Sequence, residues 1–239
     1  VAGNTVVAKP AEQTPLTAYR VARLIREAGV PAEVFHLLPG DGAIGRAIVE
    51  DPRIAGVAFT GSSETARAIH RSLAAKEGAL VPLIAETGGL NAMLVDSTAL
   101  PEQVVDAVVA SAFRSAGQRC SSLRMLYLQE EIAPQVLDLL RGAMAALRVG
   151  DPADPATDVG PLIAPSERER VLEWIEEARA GGATVLTGGV VESDLLRPTV
   201  VEAPPPEGRL ACDEVFGPVC TLQRFATLDG AVDLANSTR

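Results

Sequence analysis

The stretch IAGVAFTGSSETARAIHRSL, residues 54–73, decides the fold class when it is read with VPLIA at residues 81–85. Residues 54–59 form a short apolar run typical of a buried strand, residues 63–73 follow as a helix, and residues 81–85 form a second apolar strand. A strand, a helix and a second strand in this order make a crossover unit whose two strands pair in parallel. The stretch therefore predicts an α/β fold built on a parallel sheet that helices cover.

The residues before this unit repeat the same alternation. Strand patterns occupy residues 5–8 and 34–38, and a helix pattern occupies residues 44–49. Between the two strands, Thr14 and Pro15 predict an N-cap followed by proline in the first turn of a helix that ends at Gly29. The first third of the chain is therefore expected to fold in the doubly wound manner.

A second unit begins near Asn91, so the expected domains are residues 1–88 and 89–239. Its predicted strands are residues 92–95, 123–128, 185–189 and 199–202, its predicted helices are residues 101–115, 132–147 and 166–180, and a loop is predicted at residues 150–161. Ser166 and Glu169 match a capping box at the start of the last of these helices.

Composition limits the possible classes of function. The 239 residues are 47% hydrophobic and 22% charged, which fits folded domains with real cores and excludes a disordered chain. A net charge of −10 without any run of Lys or Arg argues against nucleic acid as a partner. Three cysteines without CxxC spacing predict neither a disulfide framework nor a metal site, and a reducing, cytoplasmic location fits best. The apolar runs are too short to predict a membrane span.

The segment Gly117-Gln118-Arg119-Cys120 is the first candidate for chemistry. A cysteine in a polar run is not typical of a core, and a neighbouring arginine favours the thiolate, whereas Cys212 and Cys220 lack this setting and are expected to be inert. Glu86 ends an apolar strand before Thr-Gly-Gly, so it is either a surface group or a carboxylate held at an active edge of the sheet. A thiol and a carboxylate supply the nucleophile and the base that covalent chemistry on a carbonyl requires.

Three segments of the first third could bind a nucleotide. Thr60-Gly61-Ser62 follows a strand and precedes a helix, which fits a phosphate site and a simple N-cap by Ser62 equally well. Residues 40–45 match GxGxxG but lack the acidic residue expected about 20 positions on, which favours a packing turn. Lys9, with Glu12 three residues on, could hold ribose hydroxyls, although a solvated pair is the simpler interpretation.

Taken together, five segments in this order and spacing resemble the aldehyde dehydrogenase superfamily. They are residues 3–12 (GNTVVAKPAE), 59–62 (FTGS), 86–89 (ETGG), 117–120 (GQRC) and 214–218 (EVFGP). The resemblance covers essentially the whole chain. It implies a Rossmann-type parallel-sheet NAD-binding domain at residues 1–88 and an α/β catalytic domain at residues 89–239, both partial.

The resemblance also implies roles for individual residues. Cys120 would attack the aldehyde, hydride would pass to NAD, and Glu86 would activate the water that hydrolyses the resulting thioester. The backbone N–H of Cys120 would be half of an oxyanion hole. NAD would be bound by Lys9, Glu12, Thr60, Gly61, Ser62, Glu214 and Phe216, and the substrate carboxylate by Arg119 and Ser121. NAD is favoured over NADP because a 2′-phosphate would meet Glu12.

Within the superfamily, residues 85–93 and 111–124 look like the L-glutamate γ-semialdehyde dehydrogenase part of bacterial bifunctional proline utilization A. That likeness implies oxidation of L-glutamate γ-semialdehyde to L-glutamate, the second step of proline catabolism. It also implies fusion to a proline dehydrogenase domain, which alone would carry FAD, and a homo-oligomer at full length. Leu90 departs from the polar residue usual after Thr-Gly-Gly.

Two alternatives stay open at this point. One is an aldehyde dehydrogenase for another aldehyde, and the other is a non-catalytic domain that serves assembly or channelling. We also expect the 239 residues to be a fragment, because the asparagine that completes the family's oxyanion hole would precede Val1 and the loop that anchors the substrate would follow Arg239.

Overall fold

The computed structural model describes residues 3–237, which form two compact units that divide between Thr87 and Gly88. This division lies one residue from the expected domain boundary. The assignment of the first unit to cofactor binding and of the second to catalysis stays a prediction. No helix within residues 3–237 is long and apolar enough to cross a membrane.

The first unit alternates strands and helices as predicted. Its elements are β1 (Val6–Ala8), α1 (Pro15–Glu27), β2 (Phe35–Leu37), α2 (Gly42–Glu50), β3 (Val57–Gly61), α3 (Ser63–Ala74) and β4 (Leu83–Thr87). Strand β1 pairs with β2, and β3 pairs with β4, both in parallel. The parallel crossovers are therefore confirmed, and the ladders of the described residues form two separate pairs.

The second unit is built on a five-stranded sheet in the order β5-β6-β11-β10-β7. Its elements are β5 (Ala92–Val95), α4 (Pro101–Ala112), β6 (Met125–Gln129), α5 (Ala133–Ala146), α6 (Pro165–Ala180), β7 (Thr184–Thr187), β8 (Val191–Glu192), β9 (Leu195–Leu196), β10 (Thr199–Glu202), α7 (Arg209–Cys212), β11 (Val219–Phe225) and α8 (Leu228–Asn236). Its strands are parallel except β7, which runs antiparallel to β10, while β8 and β9 form a separate hairpin.

Helices cover both faces of this sheet. Successive side chains of a strand point to opposite faces, and the adjacent Val200 and Val201 of β10 belong to two different core clusters. The cluster of Val200 contains the apolar faces of α4 and α5, and that of Val201 contains the apolar face of α6. The sheet is thereby fixed from both sides, and it supports the loops at its strand ends.

One prediction about helix ends is wrong, and another is confirmed in position only. Helix α6 begins at Pro165, and its N-cap residue Ala164 makes no side-chain bond, so Ser166 lies inside the first turn and the predicted capping box does not form. Proline is favoured at the first helical position because its φ angle suits the helix and its missing N–H would have no partner there. In α1, the predicted N-cap at Thr14 and the proline that follows it are confirmed, although the Thr14 side chain makes no capping bond.

Candidate active site

A left-handed turn connects the end of α4 to the segment that contains Cys120. Helix α4 stops at Ala112, and Ser115, Ala116 and Gly117 then have φ angles of 56°, 52° and 66°. For a residue with a side chain this conformation costs roughly 1–2 kcal/mol. Gly117 accepts no side chain, because a Cβ there would collide with the carbonyl oxygen of Gly217. Close packing against Gly217 keeps this strained turn in place. The position of the residues that follow, which include Cys120, is therefore fixed at its start.

Cys120 lies at the tip of a tight turn. The Ser122 N–H donates to the Arg119 carbonyl oxygen at 3.0 Å, which places Cys120 and Ser121 at the two central positions of a β-turn. The Cys120 side chain is exposed. Its thiol can therefore meet a reactant from solution.

The other two cysteines have different environments. Cys220 lies fully buried in β11, and desolvation raises the pKa of its thiol to about 12. Cys212 is half-buried, and its Sγ lies 3.1 Å from the Pro206 carbonyl oxygen. Thiolate is the reactive form of cysteine, so the buried Cys220 is unsuited to act as a nucleophile.

Asn91 fixes the outer side of the turn. Its Nδ2 donates to the carbonyl oxygens of Cys120 at 2.6 Å and Ser122 at 2.8 Å. Its own carbonyl oxygen accepts from the backbone N–H groups of Arg124 and Met125, both at 3.0 Å. One residue thus ties the cysteine turn to the start of β6.

Arg124 fixes the inner side. Its side chain is 2% exposed, and its Nη2 donates to the carbonyl oxygens of Gly117 at 2.7 Å and Arg119 at 3.0 Å. Its Nη1 donates to the Gly217 carbonyl oxygen at 3.1 Å. Burial lowers the pKa of Arg124, and the neighbouring carboxylate of Glu214 opposes that shift. A guanidinium remains charged in proteins, so a buried cation lies directly beneath the cysteine turn.

The segment with Glu214 and Phe216 meets the same guanidinium. Glu214 Oε1 lies 3.5 Å from Arg124 Nη2, and the Phe216 ring centroid lies 5.7 Å from the Arg124 Cζ. The Glu214 carboxylate packs against the backbone of Gly88 so closely that a side chain at Gly88 would collide with it. Phe216 has a φ of 44°, and Arg170 Nη2 donates to the Val215 carbonyl oxygen at 2.9 Å. These contacts hold the two predicted cofactor residues of the second unit together.

In the first unit, Thr60 and Glu86 are register partners on β3 and β4. The Glu86 side chain is exposed, as a base that acts on water requires. Ser62 is the N-cap of α3, where its Oγ accepts from the Thr65 N–H at 3.1 Å and donates to Thr65 Oγ1 at 2.9 Å. The capping interpretation of Ser62 therefore holds, and its role toward a phosphate stays a prediction.

Lys9 joins the ends of β1 and β2. Its Nζ donates to the carbonyl oxygens of Pro10 at 2.8 Å and Gly40 at 3.0 Å. Glu12 is exposed nearby in the sequence. The N-terminus of α2 is capped by the chain's own Asp41, whose carboxylate accepts from Ala43 N–H at 2.9 Å. The GxGxxG segment thus has the local structure of a packing turn with its first N–H groups already engaged.

The predicted residues thus form two groups. Thr60, Gly61, Ser62 and Glu86 lie at the ends of β3 and β4, with Lys9 and Glu12 also in the first unit, whereas Arg119, Cys120, Ser121, Glu214 and Phe216 lie in the second unit. Arg119 and Ser121 are exposed beside Cys120. Neither Asn91 nor Arg124 was assigned a role from the sequence. The signal for Arg124 was a single charge at the start of an apolar strand, since arginine is rarely fully buried unless it is paired.

Comparison with known proteins adds independent findings. The chain matches the sequence model described as the aldehyde dehydrogenase family over residues 1–239. It is 46% identical over 252 residues to the bifunctional protein PutA of Klebsiella aerogenes, which covers 99% of this chain and 19% of that protein. It is 37% identical over 246 residues to 1-pyrroline-5-carboxylate dehydrogenase of Geobacillus thermodenitrificans, covering 100% of this chain and 48% of that protein.

A solved structure agrees with these matches. The structure of 1-pyrroline-5-carboxylate dehydrogenase from Thermus with bound NAD superposes with a TM-score of 0.92 at 34% identity, covering 99% of this chain and 47% of that chain. The chain thus spans less than half the length of each of these relatives.

Proposed function

Since the chain belongs to the aldehyde dehydrogenase family, we propose that it is part of an NAD-dependent L-glutamate γ-semialdehyde dehydrogenase. The observation that carries the proposal is the exposed Cys120 at the tip of a turn that Asn91 and Arg124 hold from two sides. The PutA and 1-pyrroline-5-carboxylate dehydrogenase relatives support the substrate, because 1-pyrroline-5-carboxylate is the cyclic imine that the semialdehyde forms with loss of water.

In the proposed reaction, Cys120 Sγ attacks the aldehyde carbon and forms a hemithioacetal. The Cys120 N–H would donate to the oxygen on which negative charge develops. NAD, when bound, would accept the hydride and leave the acyl group on Cys120 as a thioester. Glu86 would then remove a proton from water, which attacks the thioester and releases L-glutamate.

The residues of the first unit suit NAD. Lys9 presents an ammonium group at the joined ends of β1 and β2, and the exposed carboxylate of Glu12 can accept from ribose hydroxyls. A carboxylate also disfavours a 2′-phosphate, which supports NAD over NADP. Thr60, Gly61 and Ser62 offer backbone and hydroxyl groups at the start of α3 for a pyrophosphate. In the second unit, Glu214 is the proposed ligand of the nicotinamide ribose, with Phe216 beside it.

The substrate and the partners follow from the same proposal. Arg119 and Ser121 are exposed in the Cys120 turn, where a guanidinium and a hydroxyl can bind the substrate carboxylate. The PutA relatives are named bifunctional, which supports fusion to a proline dehydrogenase domain. In this proposal that separate domain alone would carry FAD. A homo-oligomer of the full-length protein completes the proposal.

The test is pre-steady-state kinetics on the intact protein with the semialdehyde and NAD. Cys120→Ala is expected to abolish NADH formation, while Glu86→Gln keeps the first burst of NADH and slows later turnovers, because thioester hydrolysis loses its base. Cys212→Ala is the matched control and should behave as wild type. Normal turnover by Cys120→Ala would overturn the mechanism. If the wild-type protein turned over another aldehyde but not the semialdehyde, the proposed substrate would be wrong.

A further inference from the structure

The direction of the Cys120 N–H is set by the carbonyl oxygen of Arg119. A trans peptide is planar, so the C=O of one residue and the N–H of the next point in opposite directions. The Arg119 carbonyl oxygen points inward, where it accepts from Arg124 Nη2 at 3.0 Å and from the Ser122 N–H at 3.0 Å. The Cys120 N–H in the same peptide plane must therefore point outward.

That outward N–H is free to act on a ligand. Among residues 3–237, no group accepts a hydrogen bond from the Cys120 N–H. The side chain of Cys120 is exposed as well. The nucleophile and an unused backbone donor are thus presented by one residue, as attack on a carbonyl requires.

Asn91 holds the carbonyl oxygens of Cys120 and Ser122, which belong to later peptide planes of the turn. Without Arg124, only the β-turn bond would restrain the Arg119–Cys120 plane, and turn residues on a protein surface are mobile. Arg124 restrains this plane, because the guanidinium that binds the Arg119 carbonyl oxygen is itself held by other parts of the backbone. The same guanidinium binds the Gly117 carbonyl oxygen at 2.7 Å in the strained turn and the Gly217 carbonyl oxygen at 3.1 Å. Its side chain is 2% exposed, and Arg124 directly precedes β6, a strand that is paired on both sides.

We propose that Arg124 is a positioning residue, which aims the Cys120 N–H at the developing oxyanion by holding the Arg119 carbonyl oxygen from below. The inference rests on the proposed function and deepens it. Arg124 also contacts Glu214, the residue predicted to bind the nicotinamide ribose. The same guanidinium therefore holds both the peptide that carries the Cys120 N–H and this cofactor residue.

The experiment separates oxyanion stabilisation from access to the thiol. Arg124→Lys keeps a cation but replaces the planar fork by a single ammonium, which cannot span the carbonyl oxygens of Gly117, Arg119 and Gly217 together. In the intact protein, two rates are measured: the burst of NADH with the semialdehyde, and alkylation of Cys120 by iodoacetamide. Alkylation develops no oxyanion. Removal of one oxyanion donor costs about 10²–10³-fold, so its misalignment should slow the burst by roughly 10–100-fold and leave alkylation within about threefold.

Arg141→Lys, at an exposed position of α5, is the matched control and should change neither rate. A burst equal to that of wild type, or a burst and an alkylation rate that fall together, would overturn the role of Arg124. If Arg124→Lys does not fold, Arg124→Gln is used instead. Because this variant also removes the cation beneath the turn, the burst must fall at least tenfold more than the alkylation rate, and an equal fall in both would overturn the role of Arg124. Absence of a burst in the wild-type protein would instead overturn the proposed function, and the inference with it.

Discussion

Cys120 and Cys220 have the same side chain and opposite environments. Cys120 stands exposed on a β-turn, whereas Cys220 lies in the central strand of the sheet with no exposed surface. The polar residues around Cys120 indicated its exposure from the sequence. The expectation that Cys220 is a buried, inert cysteine is confirmed, whereas its place in a strand that is paired on both sides was not predicted.

The buried thiol predicts a specific loss of stability in alkali. The pKa of Cys220 is raised from 9.0 to about 12, so above pH 9 the unfolded chain releases a proton that the folded chain keeps. Stability then falls as pH rises from 9 toward 12, by about 2 kcal/mol between pH 9 and 10.5. We expect the unfolding midpoint of the wild type to fall more steeply across this range than that of Cys220→Ala.

The comparison uses the difference in slope, because Cys220→Ala also removes buried volume and lowers stability at every pH. Other alkaline groups titrate in both proteins and cancel from that difference. Denaturant unfolding at a series of pH values, followed by a signal from the second unit, measures both slopes. Parallel slopes would contradict the predicted contribution of Cys220.

The roles of Arg124 and Asn91 could not be predicted from the sequence, because both residues act through partners that are distant along the chain. Arg124 bonds to Gly117, 7 residues away, and to Gly217, 93 residues away, so its partners are defined only once the sheet has formed. Asn91 bonds to carbonyl oxygens 29 and 31 residues distant. The motif residues could be recognised because their chemistry is local, whereas the residues that hold them act through backbone groups, which every sequence contains.

At the scale of elements, alanine substitutions at two glycines of the second unit are expected to have opposite effects. A methyl group added at Gly142 in α5 would meet no atom within 4 Å, whereas one added at Gly117 would collide with the Gly217 carbonyl oxygen in a backbone of φ 66°. Alanine is favoured over glycine inside a helix by about 0.5–1 kcal/mol. Gly142→Ala should therefore raise the melting temperature slightly and leave turnover unchanged.

Gly117→Ala should have the reverse outcome. Both the positive φ and the collision oppose the new side chain, so the left-handed turn must move and carry the Cys120 turn with it. We expect a loss of NADH formation well beyond the loss of stability, measured by turnover of the intact protein beside its melting curve. Full activity in Gly117→Ala would show that the turn tolerates displacement and that its strain has no role in placing Cys120.

The elements themselves were predicted unevenly, for physical reasons. Strands and helices of the crossover units were found because apolar runs alternate with helical patterns. The central strand β11 and helix α8 were not predicted, since Thr221, Gln223 and Arg224 interrupt the apolar pattern. Thr221 is buried all the same, because its Oγ1 donates to the Arg124 carbonyl oxygen at 3.0 Å. A polar side chain that is buried because it has a hydrogen-bond partner breaks the apolar pattern, so the pattern does not indicate the strand that contains it.

At the scale of the whole molecule, the chain carries a net charge of −10, and the predicted cofactor is also an anion. Two sources could then disfavour NADP, which has an additional phosphate. One is the overall negative field, which salt screens over about 10 Å at 0.1 M and about 3 Å at 1 M. The other is the carboxylate of Glu12, which would meet the 2′-phosphate at short range and is screened much less.

Ionic strength separates these two sources. We expect the intact protein to prefer NAD at low salt and to keep most of that preference at about 0.5 M NaCl, because the discrimination is local to Glu12. Glu12→Gln should raise kcat/KM for NADP by roughly fivefold, because removal of a like charge about 4 Å away is worth about 1 kcal/mol when water surrounds the pair. Glu27→Gln, an exposed carboxylate at the end of α1, changes the net charge equally and should leave the preference unchanged. A preference that salt abolishes, or that both variants reduce alike, would assign cofactor choice to the field of the whole molecule.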